Sequence, residues 1–507
     1  MRTDPRQLHR ATFDVVVIGA GIHGAAIARD AALRGLSVLL VDECDVAAGA
    51  SARTSGVMAA GLRDLRRGLF ASAREALLER ERLLRTAPHL VRPLPMLAPC
   101  FDGITEAPAK LRIATTLASR LAKRSTLPRP RRLTAAAALA AFPGLDSRGL
   151  RSGLLFFEAR VQDARLTLAN VQDAVAAGGL FCNHAKVAAC DADGVTLRAA
   201  GDEVIVKSRV LVNAAGASVD VVRRSLGVGG PDLVRTRRVR HVVVPARPGE
   251  LALCAFLPGD RERFVVPHAG GAICGADDAA DARASDPSTR QHFEEICASF
   301  ARLLDPCPAH GEIGRTVSSW RALPRAAGGL RAERRRSFTV SEDVPCGQVH
   351  SVVGGRFTTH RSFAERAVTS IFGLSRGSPT RTRPLPGGDG PREVDDDLWW
   401  RHGSRVSELR ASIAAEPELG ARLCEHRPFL AAELIDAVER HGAVTFADAM
   451  LRRLVDVRGP CTEPACMQRA LAVFQRAGGV VENEAQEIAA LVDGVRRELP
   501  GLQQEIP

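Results

Sequence analysis

Short runs of apolar residues that end in glycines recur along the chain and indicate buried strands followed by tight turns. The first run, Val15–Ile18, leads into Gly19, Gly21 and Gly24, and a segment of small residues then connects it to a second apolar run at 36–41. Strand, glycine turn, helix and strand in this order form a βαβ unit, in which the two strands are parallel. The N-terminal segment therefore predicts the start of a doubly wound α/β domain.

Two later segments repeat the pattern of an apolar strand and a glycine turn. Residues 210–218 read "VLVNAAGAS", and residues 352–359 read "VVGGRFTT" before a helical segment. A helix predicted over 163–177 ends at Gly178 and Gly179, and another strand follows it. These strands are expected to join the same sheet.

Other parts of the chain follow different patterns. Residues 236–344 carry strand-like text such as "RHVVVPA" and "RFVVPHAGGAICGADD", which predicts a separate sheet domain with a helix over 291–304. Residues 109–124 predict a basic amphipathic helix. A segment rich in Pro, Gly and charge at 375–397 predicts a linker, and the pattern beyond it is helical.

The glycine spacing G-x-G-x-x-G is typical of a dinucleotide-binding turn. Gly19 permits the turn, Gly21 lets the backbone approach a pyrophosphate, and Gly24 lets helix and strand pack closely. The helix N-terminus offers free N–H groups and a positive dipole end to the phosphates. Asp42, at the end of the second strand, is placed to bind ribose hydroxyls.

Two features favour FAD over NAD as the cofactor. First, the strand ends at 210–218 and 352–359 bring small residues back to a nucleotide-sized gap, as the greater length of FAD requires. Second, Ser51, Thr54 and Ser55 supply hydroxyl groups just after the second strand. The predicted cofactor-binding residues are Gly19, Gly21, Gly24, Asp42, Ser51, Thr54, Ser55, Val187, Ala215, Gly216, Gly355, Arg356, Thr358 and Thr359.

Composition narrows the class of protein and its partners. With 507 residues, 46% of them hydrophobic and 25% charged, the chain is an ordinary globular protein of two or three domains. The net charge of +11 favours anionic partners such as phosphorylated substrates or acidic lipid headgroups. Nucleic acid is excluded as a partner, because no zinc finger or RNP-type motif appears and aromatic residues are few.

The sequence also bears on location. No stretch has the apolar core of a signal peptide, and no run reaches the roughly 18 apolar residues of a spanning helix. The chain is predicted to be cytoplasmic, either free or lying on the cytoplasmic face of the inner membrane.

The twelve cysteines are scattered and indicate buried, reduced thiols. The nearest pair, Cys461 and Cys466, has four residues between its members, and no histidine or second cysteine pair accompanies it at a metal-binding spacing. No metal site is predicted.

Eight segments resemble FAD-dependent glycerol-3-phosphate dehydrogenases and occur in order from about Phe13 to the C-terminal helices. They are "VVVIGAGIHGAAIARDAALRGLSVLLVDE", "GLRDL", "EALLERERLLRTAPHLVRPLPM", "QDARLTLAN", "LVNAAG", "HVVVP", "VVGGRFTTHR" and "FADAMLRRL". The chain is therefore identified as a divergent member of this family, within the D-amino-acid-oxidase-like flavoproteins.

The resemblance implies a fold and an activity. The fold would be a Rossmann-type FAD-binding domain of the glutathione-reductase/D-amino-acid-oxidase type, a β-rich substrate or cap domain and an α-helical C-terminal domain. Their expected limits are 12–92, 153–235 and 345–376 for the first, 93–152 and 236–344 for the second, and 390–507 for the third. The activity would be oxidation of glycerol 3-phosphate to dihydroxyacetone phosphate by hydride transfer to flavin N5.

Site residues and partners follow from the same resemblance. Arg63, Arg321, Arg336 and Arg356 fall at the family's basic substrate positions, and bidentate guanidinium groups suit phosphate. His241 is the candidate catalytic base, with Arg321 as a second catalytic residue. Electrons would pass to a quinone or to oxygen, and the helix over 109–124 occupies the family's membrane-associating segment. The resemblance leaves a homodimer open.

The chain departs from the family mainly at the substrate site. Gly56, Ala59 and Asp64 stand where the family has a lysine, a histidine and a tyrosine, and Arg356 stands in place of a lysine. "GADD" at 275–278 replaces "GTTD". A carboxylate beside a dianion costs about 1 kcal/mol or more. Two alternatives therefore stay open: an FAD-dependent oxidoreductase for another small anionic hydroxy or amino acid, and a degenerate, non-catalytic paralogue.

Overall fold

The computed structural model describes residues 1–106, 108–122, 125–244, 249–258, 261–268, 271–276, 298–305, 315–325, 337–375, 377–393, 396–454, 461 and 463–496. Within these ranges the chain forms three sheets and a C-terminal group of helices. The expected helix over 291–304 lies largely outside the described residues, as do Arg336, Lys123 and Arg124.

The strands are, in chain order, β1 (Thr12–Phe13), β2 (Val15–Ile18), β3 (Val38–Val41), β4 (Val57–Met58), β5 (Val91–Phe101), β6 (Arg131–Thr134), β7 (Leu150–Val161), β8 (Leu180–Cys182), β9 (Lys186–Asp191), β10 (Gly194–Ala199), β11 (Asp202–Ser208), β12 (Val210–Asn213), β13 (Val234–Val244), β14 (Ala252–Leu257), β15 (Arg261–His268), β16 (Gly271–Ala276), β17 (Arg315–Pro324), β18 (Ser337–Val344) and β19 (Gly347–Gly354).

The helices are, in chain order, α1 (Ile22–Ala32), α2 (Leu62–Arg66), α3 (Phe70–Thr86), α4 (Pro108–Leu121), α5 (Ala135–Ala141), α6 (Asp163–Ala176), α7 (Val219–Ser225), α8 (His360–Phe372), α9 (Asp397–His402), α10 (Val406–Ala415), α11 (Ala431–Glu439), α12 (Phe446–Asp448), α13 (Pro464–Arg476) and α14 (Glu484–Arg496). A π-helical segment, Ala449–Leu454, continues α12.

The six-stranded sheet contains the predicted βαβ unit. Its spatial order is β18, β19, β12, β2, β3, β8, in which β18 pairs antiparallel and the other strands pair in parallel. All residues of β2 and β3 are buried, as expected for central parallel strands that are covered on both faces. The strands β2, β12 and β19 therefore end at the same edge, each beside its glycine turn.

The nine-stranded sheet is the largest of the three sheets within the described residues. Its order is β17, β13, β16, β15, β14, β5, β7, β4, and β6 pairs with β7. One face buries Val242 and Val244 against a core that includes Phe300. The opposite face packs against α2 and α4 through Leu62 and Leu111. We call this second face the substrate face, because the predicted base lies on it.

The expected domain limits stay a prediction. Three strands belong to sheets other than those that the limits imply. The strand β18 belongs to the six-stranded sheet, although the segment 236–344 was assigned to the cap. The strands β4 and β7 belong to the nine-stranded sheet, although 12–92 and 153–235 were assigned to the FAD-binding domain.

A small sheet covers the second face of the six-stranded sheet. Its order is β1, β11, β10, β9, and its apolar residues share a core with Val16 and Leu39. On the first face, α1, α6 and α8 pack together. The Rossmann-like sheet is thus enclosed between two layers.

The segment that composition marks as a linker connects the domains but is packed against the nucleotide-binding half. Ser378 and Thr380 donate hydrogen bonds to the buried Asp30, and Arg383 Nε lies 3.0 Å from Asp173 Oδ1. Buried carboxylates require such donors, which is why this segment is fixed in place. Its Pro and Gly content did not reveal these contacts.

The C-terminal helices form their own core and dock on the nucleotide-binding half. Arg452 and Arg453 reach Asp45, three residues after the strand-end carboxylate Asp42. The same region corrects one expectation: Cys461 and Cys466 do have a histidine and another cysteine beside them. Sequence spacing missed these neighbours because they come from an earlier loop.

Helix α4 bears on the expected contact with a membrane. The predicted basic helix is present as α4, and no helix within the described ranges is long and apolar enough to cross a membrane.

Candidate active site

The glycine turn after β2 leaves no room for a side chain at two of its three glycines. Gly19 has φ +102°, and a Cβ on it would lie 2.7 Å from the carbonyl oxygen of Ala214. A Cβ on Gly24 would lie only 1.8 Å from the oxygen of Gly19. Gly21 differs, because the nearest atom to its Cβ position is Ser51 Oγ at 3.4 Å. This glycine therefore keeps one side of the backbone open, as a bound pyrophosphate requires.

Polar groups line the same turn. The N–H groups of Ala20 and Cys44 donate to Asp42 at 2.6 Å and 2.8 Å, and Ser51 Oγ accepts from Ile22 N at 2.9 Å. Burial raises the pKa of the Asp42 carboxyl to about 6, so the group is ionised at neutral pH. An ionised carboxylate at this position accepts hydrogen bonds from ribose hydroxyls.

The ends of β12 and β19 form the second wall of the crevice. Asn213, the last residue of β12, donates to Val219 O at 2.9 Å and fixes the turn that contains Ala215 and Gly216. Gly355 has φ +128°, and a Cβ on it would meet the ring of His23 at 2.3 Å. Burial lowers the pKa of His23 to about 3, so this ring is neutral.

The predicted hydroxyl residues serve the crevice in different ways. Thr54 Oγ1 lies 2.8 Å from Asp163 Oδ2, and Thr358 Oγ1 donates to the carbonyl of Ala59 at 3.3 Å. These two side chains therefore fix the surrounding loops. Thr359 precedes α8, and Ser55 is half-buried beside Thr54.

Val187 lies on β9, in the small sheet, and is buried. The chain just before it runs beside the strand-end carboxylate, since Ala185 N donates to Asp42 O at 2.8 Å. Val187 itself belongs to the hydrophobic core that the small sheet shares with β2 and β3, so its role at the cofactor stays a prediction.

The residues present fit FAD. Open backbone at Gly21, the N-terminus of α1 and the carboxylate of Asp42 match a pyrophosphate and an adjoining ribose. The turns at Ala215 and Gly355 follow β12 and β19, two strands that end at the same edge of the sheet as β2. These groups supply binding and orientation, and the redox chemistry belongs to the cofactor.

The substrate face brings the predicted base and two arginines together. In the antiparallel pairing of β13 with β17, Arg237 lies opposite Arg321, and His241 lies opposite Val317. Residues at even spacing share a face of a strand, so His241, Arg237 and Arg321 lie on the same face. His241 and Arg237 are four positions apart, which corresponds to about 13 Å along the strand.

The position of His241 depends on a glycine in the neighbouring strand. His241 is paired with Gly275 on β16, and a Cβ on Gly275 would lie 2.8 Å from His241 Nδ1. The ring of Phe264 lies 5.6 Å from the imidazole, centre to centre. The base is therefore held against the sheet in a buried, largely apolar setting.

Helix α2 covers the substrate face and carries three charged residues. Arg66 is held by Glu106 at 2.6 Å and by Glu262 at 3.2 Å, which anchors the helix. Arg63, a predicted substrate ligand, is half-buried in the same helix. Asp64 is fully buried and faces the glycine turn after β19.

Asp64 and Arg356 form a bidentate ion pair that sequence reasoning missed. Arg356 Nη1 and Nη2 donate to the two carboxylate oxygens of Asp64 at 2.6 Å and 2.8 Å, and Ser72 Oγ also donates to Asp64 at 2.7 Å. Both positions depart from the family, and the structure shows that the two departures are in contact. Asp64 therefore neutralises Arg356 rather than standing as an added negative charge.

Gly56, another departure from the family, has a structural reason, whereas Asp277 and Asp278 of the "GADD" segment lie outside the described residues. Gly56 has φ +71°, and its N–H donates to Thr54 Oγ1 at 3.0 Å. A lysine at this position would be strained, because non-glycine residues rarely adopt such a φ. Asp163, which sequence reasoning did not select, holds Thr54 from the start of α6; the acid at a helix N-terminus was the available signal.

Known proteins resemble the chain in sequence and fold. Residues 14–355 match the DAO family, described as FAD dependent oxidoreductase. The chain is 29% identical to a glycerol-3-phosphate dehydrogenase of Synechocystis sp., with 89% of this chain and 90% of the relative covered. It is 31% identical to glycerol-3-phosphate dehydrogenase 2 of Mycobacterium tuberculosis, with 89% and 82% covered.

A solved structure has the same fold. It is the glycerol-3-phosphate dehydrogenase from Bacillus halodurans complexed with FAD, which matches with a TM-score of 0.73 at 22% identity and covers 96% of this chain and 95% of that one.

Proposed function

The chain belongs to the DAO family of FAD-dependent oxidoreductases, and from this premise we propose that it oxidises glycerol 3-phosphate to dihydroxyacetone phosphate. Membership confirms the predicted fold class, FAD as the cofactor and the assignment as an oxidoreductase. The substrate is the proposal, and relatives named glycerol-3-phosphate dehydrogenase support it over most of the chain.

The observation that carries the proposal is the cross-strand pair of Arg237 and Arg321 on the same face as His241. Directly opposite residues of an antiparallel pair have Cβ atoms about 4.5 to 5.5 Å apart, so both guanidinium groups can reach one anion between them. A phosphate monoester is such an anion, and guanidinium groups bind it with paired N–H donors.

The cofactor, His241 and the arginines each have a proposed role in this reaction. FAD, when bound, would supply the acceptor for the hydride of the carbinol carbon. Nδ1 of His241 faces Gly275, so we assign Nε2 as the atom that takes the hydroxyl proton of the substrate. Arg321 and Arg237 hold the phosphate together with Arg63, and the buried sheet excludes water from the base.

One observation favours a second candidate. Arg356, a family substrate position, is bound by the carboxylate of Asp64 through both terminal nitrogens. That arrangement lowers the positive charge available to a phosphate dianion, and it suits a smaller or less charged hydroxy or amino acid. The alternative keeps the flavin and the base and changes only the substrate.

We also propose a quinone as the electron acceptor and contact of α4 with a membrane surface. A cavity of about 270 Å³ lies between α2, α3, α4 and β7, and its lining combines apolar residues such as Leu77 and Phe156 with the ion pair of Arg80 and Glu158. A quinone is an apolar ring that carries polar carbonyl groups, and both parts match that lining. The Ile113 side chain of α4 is 66% exposed, which suits insertion into a lipid surface.

The experiment is anaerobic reduction of the bound flavin. Glycerol 3-phosphate at millimolar concentration should bleach the flavin absorbance, and Arg321→Met should raise the concentration needed by roughly 100-fold through loss of a charged contact. Bleaching only by 2-hydroxy acids or D-amino acids would favour the second candidate. No bleaching by any of these substrates would favour the non-catalytic paralogue.

The acceptor and membrane proposals have their own tests. Reoxidation by a soluble quinone should outpace reoxidation by air. Ile113→Glu should reduce sedimentation with anionic vesicles, whereas Val480→Glu, an equally exposed position outside α4, should not. Equal sedimentation of both variants would contradict the membrane role of α4.

A further inference from the structure

Four potential metal ligands meet at one edge of the C-terminal helical region, outside the flavin site. Cys424 and His426 lie in the loop before α11, and Cys461 and Cys466 lie at the start of α13. Their ligand atoms all lie within 4.8 Å of one another. Two separate segments therefore present three sulfurs and one imidazole to a common point.

The distances match a tetrahedron around a single ion. His426 Nδ1 lies 3.8 Å from the sulfur of Cys424, 3.5 Å from that of Cys461 and 3.7 Å from that of Cys466. Zinc bonds of about 2.3 Å to sulfur and about 2.0 to 2.1 Å to nitrogen place S and N about 3.6 Å apart at the tetrahedral angle. All three observed distances lie close to this value.

Hydrogen bonding alone does not account for the arrangement. A neutral imidazole nitrogen has one lone pair and accepts one hydrogen bond, whereas three sulfurs surround His426 Nδ1 at nearly equal distances. Cys424, Cys461 and Cys466 are free thiols. An ion at the centre would give every one of the four atoms a bond.

The surroundings suit thiolates. The three cysteines are buried in the C-terminal core beside Met467. The N–H of His426 lies 3.3 Å from the sulfur of Cys424, and Arg469 Nη2 lies 3.5 Å from that of Cys466. Donors of this kind orient metal ligands and offset the negative charge of sulfur.

We propose that Cys424, His426, Cys461 and Cys466 bind one structural zinc ion. Three thiolates and one imidazole are a typical closed set for structural zinc, and the fourth ligand leaves no position for a substrate. A two-iron cluster would spread its ligands around two metal atoms, whereas all four atoms here converge. The ion would fasten the loop around Cys424 to the N-terminal end of α13.

The test begins with the metal content of the full-length, flavin-loaded protein produced with zinc in the medium. Wild type should contain roughly one zinc ion per chain, and Cys461→Ser and Cys466→Ser should each contain less than about a tenth of that. Cys190→Ser removes a half-buried thiol outside the cluster and should keep the full zinc content. Flavin content, measured in parallel, separates loss of zinc from general misfolding.

A second measurement needs no variant. Zinc is removed from the wild-type protein with a chelator, and cobalt(II) is then titrated in. Tetrahedral cobalt bound to thiolates should absorb at wavelengths longer than the flavin bands, and added zinc should abolish that absorption. Chelation should also lower the temperature of thermal unfolding, and zinc should restore it.

Two outcomes would overturn the proposal. One is wild-type protein with full flavin that holds no zinc and binds neither zinc nor cobalt. The other is stoichiometric iron in place of zinc.

Discussion

The cofactor crevice and the substrate face are built by different means. The crevice consists largely of backbone: Gly19, Gly21 and Gly24 shape it, and N–H groups at the start of α1 line it. The substrate face consists of side chains from distant strands, with His241 and Arg321 on one surface and Asp64 bound to Arg356 beside it.

This difference indicates at which positions the chain can accept substitutions without losing its fold. A backbone site tolerates almost no substitution at its glycines, because any Cβ meets a carbonyl oxygen or the ligand. A side-chain site can be altered in compensated pairs, as with Asp64 and Arg356, since a new charge is tolerated when its partner is in contact.

The largest expected effect is at the backbone site. Gly24→Val would place atoms against the carbonyl oxygen of Gly19, so the helix would be displaced from the turn. The protein should purify without flavin, measured as the ratio of flavin to protein absorbance. Gly229→Ala is the control, because no atom lies within 4 Å of its Cβ position. A yellow Gly24→Val protein would show that the crevice is not where FAD binds.

The second-largest expected effect is on the rate constant of flavin reduction at the substrate face. His241→Gln should lower the rate constant of flavin reduction by about 10²- to 10⁴-fold, because general base catalysis contributes that much. Substrate affinity should change little, and stopped-flow reduction measures both quantities. His9→Gln, an exposed position, is the control. An unchanged rate would make His241 a structural residue.

The third effect tests the compensated pair. Asp64→Asn leaves the guanidinium of Arg356 without its carboxylate and should cost about 3 kcal/mol of stability, the lower end for a buried pair because Arg356 is partly exposed. Replacing both residues by the family's pair, Asp64→Tyr with Arg356→Lys, should recover most of this loss. Thermal release of flavin fluorescence reports the stability. Additive losses in the double variant would mean that the two departures are independent.

The smallest effect concerns pH. We expect FAD to bind the form of the protein in which Asp42 is ionised. Burial raises the pKa of this carboxyl to about 6, so the Kd for FAD should rise about tenfold as the pH falls from 7 to 5. Asp42→Asn should give a flat profile over that range. In the cofactor-free protein the sign is reversed, since a raised pKa means that stability falls as the pH rises from 3.8 to about 6.

Much of the crevice could be predicted from sequence because its determinants are local. The run Val15–Ile18, the three glycines and Asp42 lie within one βαβ unit, and local pattern predicts α6 and α8 in the same way. Such patterns need no knowledge of the tertiary fold.

The remaining parts depend on contacts between distant residues. Asp64 and Arg356 are 292 positions apart, so sequence showed an added charge but not its partner. The cysteine and histidine cluster was missed for the same reason, since Cys424 and His426 come from a different loop. Composition predicts a linker in the segment after α8, because composition alone does not reveal that Asp30 and Asp173 hold this segment in place.

The docking of Arg452 and Arg453 on Asp45 has a consequence for how tightly FAD is retained. Asp45 lies in the loop that follows Asp42, the predicted ribose ligand, and the C-terminal helices hold this loop from outside. Damage to those helices should therefore appear as leakage of cofactor from an enzyme whose reacting groups are intact.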